Sequence, residues 1–277
     1  MDKLKLGIVG HGFVGKAVEF GFDTPKVDIE IADPRRGTSV DDLSKDLDVV
    51  FVAVPTPMGD SGEIDASIVT DVVETLLEET KALILLKSTV TPDIVDRLSR
   101  LDLKRFIYNP EFLTEANAEE DFVNSTFNVI GGDMASALTV ASIYENYSKC
   151  INAQPVFTTA VEASFVKYTI NTFLSTKVTF FNQLKDQVDR FDNANFSNIS
   201  SVVKLDPRIG GSHMQVPGPD GRRGFGGACF PKDTNAFHHF SGEEFDLLKK
   251  VLDINSAYRL QYDLDAREKE QNVKFGD

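Results

Sequence analysis

Leu4-Lys5-Leu6-Gly7-Ile8-Val9-Gly10-His11-Gly12-Phe13-Val14-Gly15 is the stretch on which the fold turns. A short apolar run ends in glycines spaced G-x-G-x-x-G, and a helix-like stretch, Gly12–Phe22, follows. Gly10 permits a tight turn, Gly12 lets backbone approach a pyrophosphate, and Gly15 lets the helix pack against the strand. Phosphates bound there, beside Phe13 and Val14, would meet the unpaired N–H groups and positive dipole end of a helix. Asp33 closes the next apolar run, 18 residues after Gly15. An acid in that place accepts both hydroxyls of an adenine ribose and repels a 2′-phosphate, which favours NAD over NADP. Arg35 and Arg36 pull the other way, since neighbouring arginines can hold a 2′-phosphate.

Further apolar runs follow at Val27–Ala32, Val49–Val54, Ala82–Leu86, Arg105–Tyr108 and Asn128–Ile130. Most are almost continuously apolar, as strands covered on both faces should be. Helical stretches lie between them at Ala66–Glu79 and Pro92–Arg100. The alternation predicts an α/β fold with a doubly wound parallel sheet, a Rossmann domain over residues 1–155. The pattern then changes. Val161–Phe191 has no Pro or Gly, and Phe165, Tyr168, Phe173, Val178, Phe181 and Leu184 recur at helical spacing. A polar region, the Gly- and Pro-rich loop Asp206–Arg223 and a second helical block from Asp233 to about Lys269 complete a helical domain over 156–277. The charged stretch from Asp263 onward reads as a solvated helix that frays.

The bulk numbers exclude some functions. A net charge of −14 over 277 residues repels phosphate backbones and argues against nucleic-acid binding. Apolar runs are too short for a membrane span, and the chain enters its first strand without a signal-peptide pattern, so a cytoplasmic location is expected. Cys150 and Cys229 are far apart in sequence, which with a reducing compartment disfavours a disulfide. No metal is expected: His238 and His239 are adjacent and point apart on a helix.

The densest chemistry lies in Gly224-Phe225-Gly226-Gly227-Ala228-Cys229-Phe230-Pro231-Lys232-Asp233. A helix N-terminus and a nearby cation both favour a thiolate, although a single cysteine is more often simply buried. Lys167 and Asn171 are four residues apart and share one face of the long helix. A lysine and an amide together can stabilise a developing oxyanion, or they can be an ordinary polar stripe.

Seven segments in order settle these alternatives by resemblance. They are GHGFVG, VAVPTP (Val52–Pro57), KSTV (Lys87–Val90), NPEFLTEANAEEDF (Asn109–Phe122), EASFVKYTINTFLSTKVTFFNQL (Glu162–Leu184), DPRIG (Asp206–Gly210) and GFGGACFPKD (Gly224–Asp233). With them the chain resembles the UDP-glucose/GDP-mannose dehydrogenase family almost throughout. The resemblance implies two successive NAD-dependent oxidations of a nucleotide-sugar C6 hydroxyl, with UDP-glucose to UDP-glucuronate favoured. In that scheme Cys229 attacks the intermediate aldehyde, giving a thiohemiacetal and then a thioester. Lys167 and Asn171 stabilise the oxyanions, and Asp233 serves water and base chemistry. Glu115 is the base for thioester hydrolysis, Thr89 places water, and Glu111 is a further active-site acid. Cofactor contacts fall on Gly10, Gly12, Phe13, Val14, Gly15, Asp33, Pro55, Thr56, Ser88, Thr89, Glu115 and Lys232. Substrate contacts fall on Phe112, Leu113, Lys167, Asn171, Phe225, Gly226 and Arg208, the last reaching across a homodimer. Thr114 stands where many members have arginine. The end at Asp277 implies a short form without the family's C-terminal UDP-binding domain, with Arg222 and Arg223 as candidates to neutralise a pyrophosphate. GDP-mannose, an N-acetylated UDP-sugar or a non-catalytic nucleotide-binding paralogue remain as alternatives. A hydroxyacid dehydrogenase has no need of the cysteine.

Overall fold

The strand that follows the sixth apolar run, Gln154–Thr158, is missing from the sequence reading, and it completes the sheet. The computed structural model describes residues 3–276. Tertiary contacts divide the chain into two units: residues 1–56 with 65–167, and residues 57–64 with 168–277.

The first unit is the α/β domain. Its elements are β1 (Leu4–Val9), α1 (Phe13–Phe22), β2 (Val27–Ala32), β3 (Val49–Val52), α2 (Ser67–Glu79), β4 (Leu83–Leu86), α3 (Pro92–Ser99), β5 (Phe106–Tyr108), α4 (Ala118–Val123), β6 (Phe127–Gly132), α5 (Met134–Tyr147) and β7 (Gln154–Thr158). The seven strands run in the order β2-β1-β3-β4-β5-β6-β7. All neighbours are parallel except β5 and β6, which pair antiparallel through Ile107↔Gly132 and Tyr108↔Gly131. The doubly wound parallel sheet expected thus carries one antiparallel pair. Gly132 permits that close pairing, because a Cβ there would lie 2.5 Å from Ile107 Cδ1 and 3.0 Å from Phe106 O. β7 escapes a periodicity reading because it is an edge strand, mostly exposed and carrying Pro155. The helix α5 also escapes it, although Asp133 caps it by accepting from the Ala135 and Ser136 N–H groups. Val49, Phe51, Leu85 and Ile107 from the sheet meet Phe22, Phe122 and Tyr144 from the helices in one core. Cys150 belongs to that core, and burial pushes its thiol up.

The long helix α6 spans Ala160–Val188. Its buried side differs from the apolar stripe expected. Tyr168 and Phe181 are buried, but so are Ser164, Asn171, Ser175 and Asn182, while Phe165, Phe173 and Phe180 are exposed. Ser175, Thr172 and Thr179 return their hydroxyls to carbonyls four residues back, which lets small polar side chains line a buried face. In the second unit α6 is followed by α7 (Phe196–Val203), α8 (Phe230–Phe240), α9 (Asp246–Arg259) and α10 (Ala266–Glu270). α7 lies in the region read as merely polar, and its N-cap Asn195 accepts from Asn198 N–H. Gly242, at φ +65°, sits in the turn that splits the second helical block between α8 and α9. The tail does not fray into solvent: Glu268 and Val273 are buried. Among the described residues no helix is long and apolar enough to cross a membrane.

Candidate active site

In the first unit, β1 delivers the glycine turn to the N-terminus of α1. Gly10 sits at φ +88° with Ala53 O only 2.5 Å from where a Cβ would be, so only glycine fits. A Cβ on Gly15 would meet Gly10 O at 2.0 Å, which is the close helix–strand packing expected. The space over Gly12 is open for 4 Å, and no side chain caps the helix there. Phe13 and Val14 open α1, so their N–H groups face that space as part of its uncapped first turn. Asp33, at the end of β2, accepts from His11 N–H at 2.5 Å and Arg35 N–H at 2.7 Å, one on each oxygen. Burial opposes its ionisation, but these bonds outweigh burial and hold the carboxyl below its usual range. Each oxygen keeps acceptor capacity for a ribose hydroxyl. These features fit a dinucleotide. Arg36, one of the two arginines that argued for a 2′-phosphate, lies 3.5 Å from His11 Nδ1.

Further along the sheet edge, Thr56, Ser88 and Thr89 are buried and Pro55 is exposed. Ser88 Oγ donates to Val54 O at 2.8 Å, tying the ends of β3 and β4 together. Glu115 is exposed at the start of a single 3₁₀ turn that follows Thr114, whose side chain bonds Asp121. Glu111 and Lys167 form a buried ion pair at 3.0 Å, and Lys167 Nζ also donates to Glu111 O at 2.6 Å. Phe112 lies under the same ammonium at 5.4 Å, and Leu113 N–H donates to the other Glu111 oxygen at 2.6 Å. The loop carrying Glu111 starts from a polar knot. Asn109 accepts from Lys87 Nζ at 3.1 Å and Tyr144 Oη at 2.7 Å, and donates to Asn128 and to Val129 O.

Lys87 gives a pH prediction. Burial pushes its ammonium down to about 8, with Glu111 supporting the charge, Cys150 adding to that and Lys167 opposing it. The folded chain thus releases this proton near 8, whereas the unfolded chain holds it to about 10.5. Between those values the unfolded state binds more protons, so stability rises with pH; below them the penalty is fully present. A shift of this size corresponds to about 3 kcal/mol. Urea unfolding of wild type should therefore gain on Lys87→Met by about 3 kcal/mol between pH 8 and 10.5. Parallel pH curves for the two proteins would refute this.

In the second unit, Cys229 is the N-cap residue of α8, half-buried, and its carbonyl accepts from Asp233 N–H at 2.8 Å. Pro231 occupies the first turn, where a missing N–H costs nothing. Asp233 is buried and central: Asn171 Nδ2 donates to one oxygen at 2.6 Å and Lys232 Nζ to the other at 2.6 Å. Phe225 is buried and Gly226 half-buried in the loop before the cysteine. Arg208 stands apart, exposed and folded back on Asp206. The expectation that Arg222 and Arg223 face a pyrophosphate meets a competing use. Arg223 bonds Asn182 and Asp186, and Arg222 bonds Asp263 O. His239 is exposed and His238 Nδ1 has no hydrogen-bond partner among the described residues. Residues that the sequence reading missed are Lys87, Asn182, Asn255, Arg259 and Glu268; Lys87 and Asn182 lie inside segments of the resemblance but carry no role in it, and burial alone marks the other three.

Residues 35–148 match the NAD binding domain of the UDP-glucose/GDP-mannose dehydrogenase family, and residues 161–257 match its central domain. The UDP-glucose 6-dehydrogenase of Rickettsia felis is 34% identical over 226 residues, covering 76% of this chain and 48% of that protein. UDP-glucose 6-dehydrogenase TuaD of Bacillus subtilis is 33% identical over 226 residues, covering 77% and 47%. The structure of a UDP-glucose dehydrogenase from Pyrobaculum islandicum superposes with a TM-score of 0.77 at 26% identity, covering 92% of this chain and 68% of that one. The chain spans about half the length of the two curated relatives. With a dinucleotide turn on β1, a cysteine capping α8 and both domain matches in register, the chain belongs to the UDP-glucose/GDP-mannose dehydrogenase family.

Proposed function

We propose that this protein is an NAD-dependent dehydrogenase that oxidises the C6 hydroxyl of a nucleotide sugar to a carboxylate, with UDP-glucose as substrate and UDP-glucuronate as product. The observation that carries the reading is Cys229 at the N-cap of α8, one turn before an Asp233 held by Asn171 and Lys232. A helix N-terminus and a neighbouring cation favour the thiolate. An aldehyde gives up hydride only after a nucleophile makes it tetrahedral, and Cys229 supplies that nucleophile while retaining the intermediate. NAD, when bound, would supply the two-electron acceptor for each oxidation. Gly10, Gly12, Phe13, Val14, Gly15 and Asp33 hold the cofactor, with Pro55, Thr56, Ser88, Thr89, Glu115 and Lys232 around it. Asn171 and Lys167 hold the substrate oxygen, Asp233 manages the proton of the hydroxyl or of water, and Glu115, Glu111 and Thr89 serve thioester hydrolysis. Phe112, Leu113, Phe225 and Gly226 line the sugar. Arg208 reaches a partner's substrate in a homodimer, which the exposed Phe173 and Phe180 on α6 support as an apolar face. A cytoplasmic location goes with this reading.

The test is stoichiometry. Purified protein with NAD and a panel of UDP-glucose, GDP-mannose and UDP-N-acetylhexosamines should release two NADH per UDP-glucose. One NADH per sugar would make it a simple alcohol dehydrogenase. Retained NAD binding without NADH from any sugar would make it a non-catalytic paralogue.

A further inference from the structure

The C-terminal segment bears directly on the cysteine loop. α10 opens with a reciprocal capping box: Glu268 N–H donates to Asp265 at 2.9 Å, and Glu268 Oε2 accepts from Asp265 N–H at 2.8 Å. The other oxygen, Oε1, accepts from Arg259 Nη2 at 2.6 Å and from the backbone N–H of Gly227 at 3.2 Å. Arg259 and Glu268 are 1% and 0% exposed. Beside them, Asn255 pairs with Phe225 as a strand would, accepting from its N–H at 2.7 Å and donating to its carbonyl at 2.9 Å. Gly224 N–H donates to Asn182 Oδ1 at 3.0 Å. Gly226 has no room for a side chain: a Cβ would lie 2.2 Å from Arg259 Nη2 and 2.4 Å from Glu268 Oε1. The segment is itself anchored, since Val273 is buried and Gln271 O accepts from Met58 N–H at 3.0 Å.

A loop with glycines at φ +75° and +80°, Gly224 and Gly227, has little stiffness of its own. A nucleophile at its end needs tight placement. A buried ion pair is a poor device for stability, because well-packed apolar side chains often do as well or better. Arg259 Nε, moreover, has no hydrogen-bond partner among the described residues. What the pair does supply is direction. It aims a carboxylate at a backbone N–H two residues before Cys229.

We propose that Arg259 and Glu268 are positioning residues for Cys229, fixing the Gly226–Gly227 backbone and through it the direction in which the thiol leaves the end of α8. The inference rests on Cys229 being the nucleophile. Its first test uses the 277-residue chain carrying Arg259→Met and Glu268→Met together, which keeps volume and removes both charges. Alkylation of Cys229 by iodoacetamide is followed by mass spectrometry across pH, with buried Cys150 as internal reference and a circular-dichroism melt as the folding control. The expected result is a folded protein whose Cys229 rate shifts about fivefold or more while Cys150 is unchanged. kcat should fall about tenfold with KM for NAD retained. A folded double variant with the wild-type Cys229 profile and kcat overturns the proposal. Should the double variant not fold, Asp265→Ala removes the cap of α10 and loosens that helix from outside. The Gly227 amide should then exchange faster together with the amides of 266–270; an unchanged Gly227 amide beside faster α10 amides overturns the proposal. The nucleophile reading fails separately, if Cys229→Ser still yields two NADH per sugar.

Discussion

Cys229→Ser should fold, bind NAD with near wild-type affinity, and form the second NADH per nucleotide sugar at least ~10³-fold more slowly. The substitution exchanges sulfur for oxygen at a half-buried N-cap, a position where serine is itself a favoured residue. Stability should therefore hold or rise slightly. Chemistry should not, because a serine hydroxyl is a far weaker nucleophile than a thiol, and a helix N-terminus favours the thiolate form. Lys232 and Asn171 remain on Asp233, so the group proposed to handle the proton is unaltered and the loss reports on the nucleophile alone. Steady-state NADH formation and NAD titration on the same preparation separate the two functions. Turnover within about tenfold of wild type would mean that the aldehyde is captured by something other than Cys229.

The parts of this molecule legible in sequence are those written in short, local chemistry. The turn from β1 into α1 is one: a positive φ at Gly10 and a missing Cβ at Gly15 are demands that only glycine meets, so they appear as letters. The start of α8 is read only to within a few residues: the helical block is expected from Asp233, whereas Pro231 lies in its first turn and Cys229 is its N-cap. Elements set by tertiary contact were not legible. β7 is exposed and carries a proline, so nothing in Gln154–Thr158 alternates, and its pairing with β6 decides it. The buried side of α6 carries Ser164, Asn171, Ser175 and Asn182 beside Tyr168 and Phe181, and an apolar-stripe reading misses those polar residues and wrongly buries Phe165 and Phe173. The tail reads as solvated for the same reason. Glu268 is a charged letter in a charged stretch, and only the arginine it meets from α9 makes it a buried one.

Glu111→Ala should cost about 3–5 kcal/mol of stability, and adding Lys167→Met should return most of it without returning activity. Glu111 and Lys167 are an ion pair whose side chains are 5% and 4% exposed. Deleting the carboxylate keeps the ammonium buried, with its bond to the Glu111 carbonyl but without its counter-charge. The neighbouring cation makes the loss larger. Lys87 draws on the Glu111 charge and is opposed by Lys167, so removing Glu111 leaves two buried ammonium groups acting on each other. Leu113 N–H also loses its acceptor, which frees the start of the Phe112–Leu113 segment. Against a total stability of roughly 5–15 kcal/mol this is a large fraction, and the melting temperature should fall by roughly 10 °C. Replacing the ammonium by a methionine of similar reach removes the cause, so Glu111→Ala with Lys167→Met should melt close to wild type. If the pair existed only to hold the loop, turnover would recover with stability. If Lys167 stabilises the oxyanion, kcat should stay about 10²-fold or more below wild type in the stable double variant. Melting curves and NADH formation on the three proteins decide between these. Recovery of both quantities together would reduce Lys167 to a structural partner of Glu111 and leave Asn171 and Asp233 to hold the substrate oxygen.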